Sequence, residues 1–269
     1  MTSFEDTTSI RRTDDGVFEA DLDDRWWVVR GPHGGYLASI VLRALLETQP
    51  DPDRHIRSLT THYLAAPKAG PMRIHASVQR TGRSMTYASA RAVQDDRPVA
   101  MALAAFSVAW PGLEFNDNPM PDVVGPEEGF PVPTEGDGIP RFLGNFDMRW
   151  VLGEQPFSGA EHALVGGWYR LREPVLADAV VAATLLDAWP PAVFPKATQL
   201  VVAPTVDLTM HFRTALPLEG AQPDDFYLGR FLSRASRDGF FEEDGELWSK
   251  DGQLIAQSRQ LALALMPGR

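Results

Sequence analysis

The chain has 269 residues, 44% of them hydrophobic and 23% charged, which suits a soluble protein with a substantial core, as one large domain or two ordinary ones. A formal net charge of −11 argues against nucleic acid or an anionic membrane as the main partner, since both demand a basic surface. There is no cysteine, which removes disulfides, a thiolate nucleophile and thiolate metal sites.

The opening residues, MTSFEDTTSIRRTDDG, are too polar for a secretory signal, and no apolar run is long enough to span a bilayer. A cytoplasmic location is the expectation. A strand is expected over residues 16–30. A helix follows from about Gly34, because Leu37, Val41, Leu42, Leu45 and Leu46 recur at helical spacing and Pro50 ends the run. Strand-like HIRSLTTHYLAA, PMRIHASVQRTG, SMTYASARAVQ and PVAMALAAFSVAW come next, separated by turn signals.

Residues 116–141, NDNPMPDVVGPEEGFPVPTEGDGIPR, are dense in proline, glycine and acids and carry no period. They read as a long linker or a wrapping loop. The same order of elements then repeats. Strands over residues 146–152 and 162–171 precede an apolar helix, VLADAVVAATLLDAW, stopped by Pro190 and Pro191. Strand-like VVAPTVDLTMHFRTA, FYLGRFLSRASR, GELWSKD and QLIAQSRQLALAL complete the half. LTTHYLAAP echoes LTMHFRTALP, and DRPVAMALAAFSV echoes DGQLIAQSRQLAL. One long helix followed by a run of antiparallel strands, twice, gives an α+β organisation of two curved sheets, each wrapped around its long helix. The expected units are residues 1–115 and 142–269, joined by 116–141.

Several chemistries lack their motifs. No G-x-S-x-G elbow, H-E-x-x-H pair, G-x-x-x-x-G-K-[ST] loop or G-x-G-x-x-G turn occurs, and the six histidines are dispersed. Neither a metal nor a nucleotide cofactor is expected. Water, carboxylates, amides and hydroxyls remain.

Asp187 ends an otherwise apolar helix. Burial and the negative end of the helix dipole both raise a carboxyl pKa there, towards the range of a useful base. The plainer reading is a helix-terminal acid facing solvent. In PTVDLTMHF, strand alternation places Thr205, Asp207, Thr209 and His211 on one face, lining either a cleft or solvent. In QSRQLALAL, Gln260 shares a face with Ser258, Ala262 and Ala264, opposite the bulky Leu261, Leu263 and Leu265. It is either a donor–acceptor aimed at a ligand or a surface amide on a terminal strand.

The internal echo weighs these readings. It aligns Asp187 with Glu47, Thr205 with Ile56 and Gln260 with Ala105. One half keeps a polar set where the other substitutes hydrocarbon, a pattern that solvent-facing positions have no reason to adopt. At the other end of the site, Gly34 and Gly35 open a helix whose N-terminal N–H groups favour negative charge.

On these residues the chain resembles the acyl-CoA thioesterase II-like proteins, which carry two fused hotdog folds. The resemblance spans nearly the whole chain. It rests on the Gly-Gly helix start, L-L-D-A-W-P-P after the second helix, T-V-D on the next strand and Q-S-R-Q on the last. It implies hydrolysis of an acyl thioester to acid and thiol, with Asp187 as general base and Thr205 and Gln260 fixing the water. On physical grounds, His33, Gly34, Gly35 and Tyr36 are expected to form a substrate-binding wall, with backbone N–H groups at the helix start as oxyanion donors. No cofactor is implied. Two departures stand out: Leu208 follows the strand Asp where the family usually has His, and His33-Gly34-Gly35-Tyr36 replaces Phe-Gly-Gly-Gln.

The expected partner is an acyl-CoA or acyl-carrier thioester, with Arg80–Arg83 and Arg230–Arg237 as candidate phosphate contacts and outer sheet edges suited to a homodimer. The competing readings are a hotdog hydratase or dehydratase, which wants a carboxylate paired with histidine, and a non-catalytic acyl-binding module.

Overall fold

The computed structural model describes residues 3–266. In the first half, helix α1 (Phe4–Thr7) precedes β1 (Arg11–Asp14) and β2 (Val17–Leu22). Helix α2 (Gly34–Thr48) then leads into β3 (His55–Tyr63), β4 (Gly70–Thr81), β5 (Met85–Gln94) and β6 (Arg97–Ser107). A long segment follows, with β7 (Phe130–Pro131) and a 3₁₀ turn at Arg141–Asn145. The second half runs β8 (Phe146–Leu152), β9 (Ala163–Leu171), helix α3 (Ala179–Leu185), β10 (Thr205–Phe212), β11 (Tyr227–Ser233), β12 (Ser236–Arg237), β13 (Phe240–Trp248) and β14 (Leu254–Leu263).

All strands join one antiparallel sheet, ordered β1-β2-β4-β5-β6-β3-β10-β14-β13-β11-β9-β8-β7, with β12 beside β13. The α+β organisation expected from the sequence is therefore present, with helix and strands in the same order in each half. The halves meet where β3 pairs with β10. Thr60 and Thr209, equivalent residues of the internal echo, are partners there, and their hydroxyls are hydrogen-bonded at 3.0 Å. A residue that pairs with its own counterpart marks a pseudo-twofold axis. The irregularities obey the same symmetry: β3 shifts register against β6 between Ile56 and Ser58, and β10 against β14 between Thr205 and Asp207.

The two helices pack against each other across this junction and run antiparallel, Gly35 lying beside Thr184 and Ser39 beside Val180. Ser39 Oγ is bonded to Val180 O and to Thr184 Oγ1, both at 2.7 Å, which satisfies polar groups that are otherwise sealed in hydrocarbon. Helix α2 also rests on β3, β4 and β5.

Several element boundaries depart from the sequence expectation. The strand expected over residues 16–30 ends at Leu22, because Asp23 caps a short 3₁₀ turn, Asp24–Trp26. The second helix is not long. Asp178 takes the N-cap position, accepting from the amides of Val180 and Val181 at 2.8 and 2.9 Å, and so starts the helix at Ala179 rather than Val175. Past Leu185 the amides of Asp187 and Ala188 reach back only three residues, so the chain leaves the helix in a tightened turn before Pro190. Seven residues remain helical.

The long connecting segment lies against the outer face of the second half's sheet. Trp168 Nε1 donates to Val124 O at 2.7 Å, and Met120 and Val123 pack on Trp168, Leu228 and Trp248. The inner face carries the main core. Trp26, 2% exposed, stacks on Tyr36 with centroids 4.9 Å apart and meets Phe146 of the second half edge-on at 5.8 Å. Trp150, Trp189 and Tyr169 form a second buried aromatic group. Trp26→Ala removes a buried ring that touches both halves. It should lower unfolding stability by about 3–5 kcal/mol, read from the midpoint of urea denaturation at unchanged slope.

Candidate active site

The site is built where the N-terminus of α2 meets the turn after α3. His33 is the N-cap of α2, its Nδ1 accepting the Tyr36 amide at 3.1 Å. Since Nδ1 is an acceptor, the ring proton sits on Nε2, which donates to the Asp187 carbonyl at 2.6 Å and lies 3.3 Å from Asp187 Oδ2. The ring is 2% exposed and stacks on Phe142 at 4.7 Å. The histidine thus holds the first half's helix and the second half's acid in register.

The Asp187 carboxylate turns towards the start of α2. The Gly35 amide donates to its Oδ2 at 2.7 Å, and the neighbouring Gly34 amide also favours its charged form. Burial pushes its carboxyl pKa up, opposed by His33 and then by the two amides. The dipole part of the sequence expectation is corrected: the charge faces the positive end of α2, and burial alone makes it basic. Its side chain retains 12% exposure, enough to be reached by a small molecule.

The glycines follow from this meeting. A Cβ on Gly34 would lie 2.8 Å from Asp187 Oδ2, and one on Gly35 2.8 Å from His33 Cε1 and 2.9 Å from Thr184 O. They admit the other half of the chain. The structure places three of the expected wall residues as follows. His33 is buried with both ring nitrogens engaged. Tyr36 is fully buried, its hydroxyl donating to Thr7 O at 2.8 Å and accepting the Asp23 amide at 3.1 Å. Gly35 gives its amide to Asp187 and so has none free for an oxyanion. Beside them Tyr63 donates to Gly34 O at 2.9 Å. Burial, and then the charge of Asp187, raises its phenol pKa and keeps it a donor.

Thr205 and Gln260 meet on the adjoining strands. The expected polar row on β10 is broken by the register shift after Thr205, which turns that residue away from Asp207, Thr209 and His211. Thr205 pairs with buried Ala262, and Leu208 with Gln260, so Thr205 shares the inner face. Its Oγ1 donates to Gln260 Oε1 at 3.0 Å. Gln260 is 8% exposed on that face, and the bulky Leu261 of the same strand points out at 38%. Ser258, two residues before Gln260, donates to Leu186 O at 3.4 Å and so brings this strand against the Asp187 turn.

Gln260 Nε2 donates to Glu243 Oε1 at 2.6 Å, and Glu243 Oε2 accepts the Ala192 amide. The sequence reading missed Glu243 because FFEEDGE reads as a solvated run. The available signal was parity: Glu243 alternates in step with Phe241, Gly245 and Leu247, all buried. Burial pushes its carboxyl up to about 7, with the Asp187 charge adding to the rise.

The symmetry-related position in the first half lacks this equipment. Ile56, 5% exposed, stands where Thr205 does, and Glu47 is solvent-exposed. Strand pairing aligns Gln260 with Ala104, one residue from the Ala105 of the sequence echo. A cleft of about 340 Å³ lies there, walled by Leu46, Ile56, Phe212 and Leu216. The candidate phosphate arginines are partly occupied: Arg230 pairs with Glu246 and Arg234 with Asp244, while Arg80, Arg83 and Arg237 are exposed. Among the described residues no cluster suits a metal ion and no helix is long and apolar enough to cross a membrane.

Residues 22–107 match the acyl-CoA thioesterase N-terminal domain and residues 120–264 the acyl-CoA thioesterase C-terminal domain. A hot dog fold protein of unknown function from Alicyclobacillus acidocaldarius superposes with a TM-score of 0.87 at 25% identity, covering 98% of both chains. An acyl-CoA thioesterase II from Mycobacterium marinum superposes at 0.78 with 21% identity, covering 99% of both. Acyl-CoA thioesterase 2 of Haemophilus influenzae is 23% identical, over 94% of each chain. The two fused hotdog units are thus the fold of this chain.

Gly35→Ala forces a methyl against the Thr184 carbonyl, which cannot move without opening the α2–α3 contact. A loss of about 1–3 kcal/mol is expected in thermal unfolding, and hydrogen exchange at residues 184–188 should quicken.

Proposed function

The chain belongs to the acyl-CoA thioesterase family, its two halves matching that family's N- and C-terminal domains, and on that premise we propose that Asp187, Thr205 and Gln260 activate the hydrolytic water. The protein is a thioester hydrolase, and an acyl-CoA is the substrate its family implies. The observation carrying the residue assignment is the convergence of a buried, basic carboxylate with a matched hydroxyl–amide pair on the touching strand.

The hydrogen bonds already made define what each group offers. Thr205 gives its only proton to Gln260 and keeps oxygen lone pairs; Gln260 gives one N–H to Glu243 and keeps the other. A water in the site donates one hydrogen to Asp187 and one to Thr205 Oγ1 and accepts from Gln260 Nε2. Its remaining lone pair points at the thioester carbon. As the C–O bond forms, Asp187 takes the proton. The tetrahedral oxyanion then collapses with cleavage of the C–S bond. The proton passes to the departing sulfur, leaving acid and thiol.

A hydratase reading needs a histidine able to exchange a proton with substrate. His33 sits beside Asp187 yet has no free ring nitrogen and almost no exposure, which favours hydrolysis. A binding module has no use for a basic carboxylate at such a cost in burial.

Release of free thiol from a panel of acyl-CoAs tests the reaction. Asp187→Asn should lower kcat roughly 10²- to 10⁴-fold, and unchanged thiol release would remove Asp187 from the mechanism. The same variant should gain stability. The Asp187 carboxyl pKa lies above its ordinary value of 3.8, so between those values the folded state holds more protons than the unfolded, and stability falls as pH rises through that window. Asp187→Asn escapes this loss. Its Tm should exceed the wild type's at pH of about 8, with the gap closing as pH falls towards about 4.

A further inference from the structure

Glu243 is the only acidic residue among the described ones that is fully buried, and the hydrolytic step as written gives it no task. We propose that Glu243 is a positioning residue for Gln260, fixing which end of the Gln260 amide faces Thr205 and the water. The proposal rests on the hydrolytic reading above.

A glutamine amide is nearly symmetric in shape, so packing alone does not choose between its two orientations. Its partners choose. An ionised carboxylate only accepts hydrogen bonds. One Glu243 oxygen is taken by the Ala192 amide, whose position is set by the chain after Pro190 and Pro191. The other oxygen therefore demands a donor, and Gln260 must present Nε2 to it at 2.6 Å. Gln260 Oε1 is then left for Thr205, which has to donate at 3.0 Å. A flipped amide would place two oxygens face to face in a buried site, a costly arrangement. Donation runs from Thr205 through Gln260 into Glu243 and from Ala192 into it on the other side; Glu243, accepting at both oxygens, sets that direction.

That direction matters to the reaction. It makes Thr205 an acceptor towards the water and leaves Gln260 an N–H to donate. Reversal would exchange both roles. The charges around Glu243 are Asp187, from the turn after α3, and Glu242 on its own strand. Glu242 faces the other way, binding the amides of Arg234 and Ala235 and lying 3.5 Å from the Arg259 guanidinium. Both acids add to the burial that raises Glu243 to about 7, so protonation near neutrality releases the constraint on Gln260.

Glu243→Gln is isosteric but replaces one accepting oxygen by an NH2 group; with its oxygen kept for the Ala192 amide it meets Gln260 with an N–H, so the Gln260 amide must turn round to accept it. It should lower kcat about 10- to 100-fold with KM unchanged. The same substitution in a Gln260→Ala background should cost nothing further, since its effect passes through Gln260. A second readout is independent of turnover. The side-chain amide resonance of Gln260, identified by its loss in Gln260→Ala, should titrate near neutral pH in the wild type and stay still in Glu243→Gln. An equal loss in the Gln260→Ala background, or a Gln260 resonance indifferent to Glu243→Gln, overturns the proposal. Should Glu243→Gln fail to fold, the exchange Glu243→Gln with Gln260→Glu matches every donor to an acceptor and should restore folding; misfolding of both also overturns it. A wild type that releases no thiol removes the hydrolytic reading, while the resonance still decides whether Glu243 holds Gln260.

Discussion

The contact between the Asp187 carboxylate and the first turn of α2 governs the rest of the structure. It joins an acid from one half of the chain to amides from the other, 2.7 Å apart at Gly35. A buried carboxylate without donors would give up its charge, and amides at a helix start without acceptors would stay unsatisfied. Each solves the other's problem. The solution requires the backbones to approach so closely that neither Gly34 nor Gly35 has room for a side chain. His33 completes it by capping α2 with one nitrogen and holding the Asp187 carbonyl with the other.

Around this contact the protein keeps two acids in hydrocarbon, and the environment gives them different work. Asp187 is partly reachable and opposed by amides and a ring N–H, which suits a base that must gain and lose a proton. Glu243 is sealed and meets two fixed donors, which suits a group that orients others. The pair lies close enough for the charge of Asp187 to raise Glu243. Burying charge of one sign twice costs stability. The aromatic groups at Trp26 and Trp189 supply offsetting burial on either side of the site.

The pseudo-twofold axis explains why there is one such site among two similar halves. Symmetry supplies the scaffold twice, down to the register shift that turns Thr205 inward and leaves Ile56 buried at the equivalent place. The polar side chains are supplied once. Where Thr205 and Gln260 stand in the second half, the first has Ile56 and Ala104, and its helix-terminal acid, Glu47, lies in water. A duplicated unit that keeps one polar set needs its other half for framing: α2 runs 15 residues from its His33 N-cap, while α3 is cut to seven residues so that Asp187 falls in the turn beyond it.

Much of this was legible in the residues. Hydrophobic spacing located α2, alternation located most strands, and the echo of LTTHY in LTMHF aligned Thr60 with Thr209, which the structure pairs on the axis. The contrast between the halves singled out Asp187, Thr205 and Gln260, because local composition records which positions tolerate hydrocarbon. Three matters were decided only by tertiary structure. The bulge that moves Thr205 to the inner face arises from pairing with β14, and no property of PTVDLTMHF alone announces it. The burial of Glu243 depends on which side of β13 faces the core, in a run whose acids look alike in sequence. The role of Gly34 and Gly35 depends on what approaches them, and their neighbour, Asp187, lies 152 residues from Gly35 along the chain. Periodicity and composition report local preference; which group meets which, and hence where charge and protons settle, is fixed by contacts between distant segments.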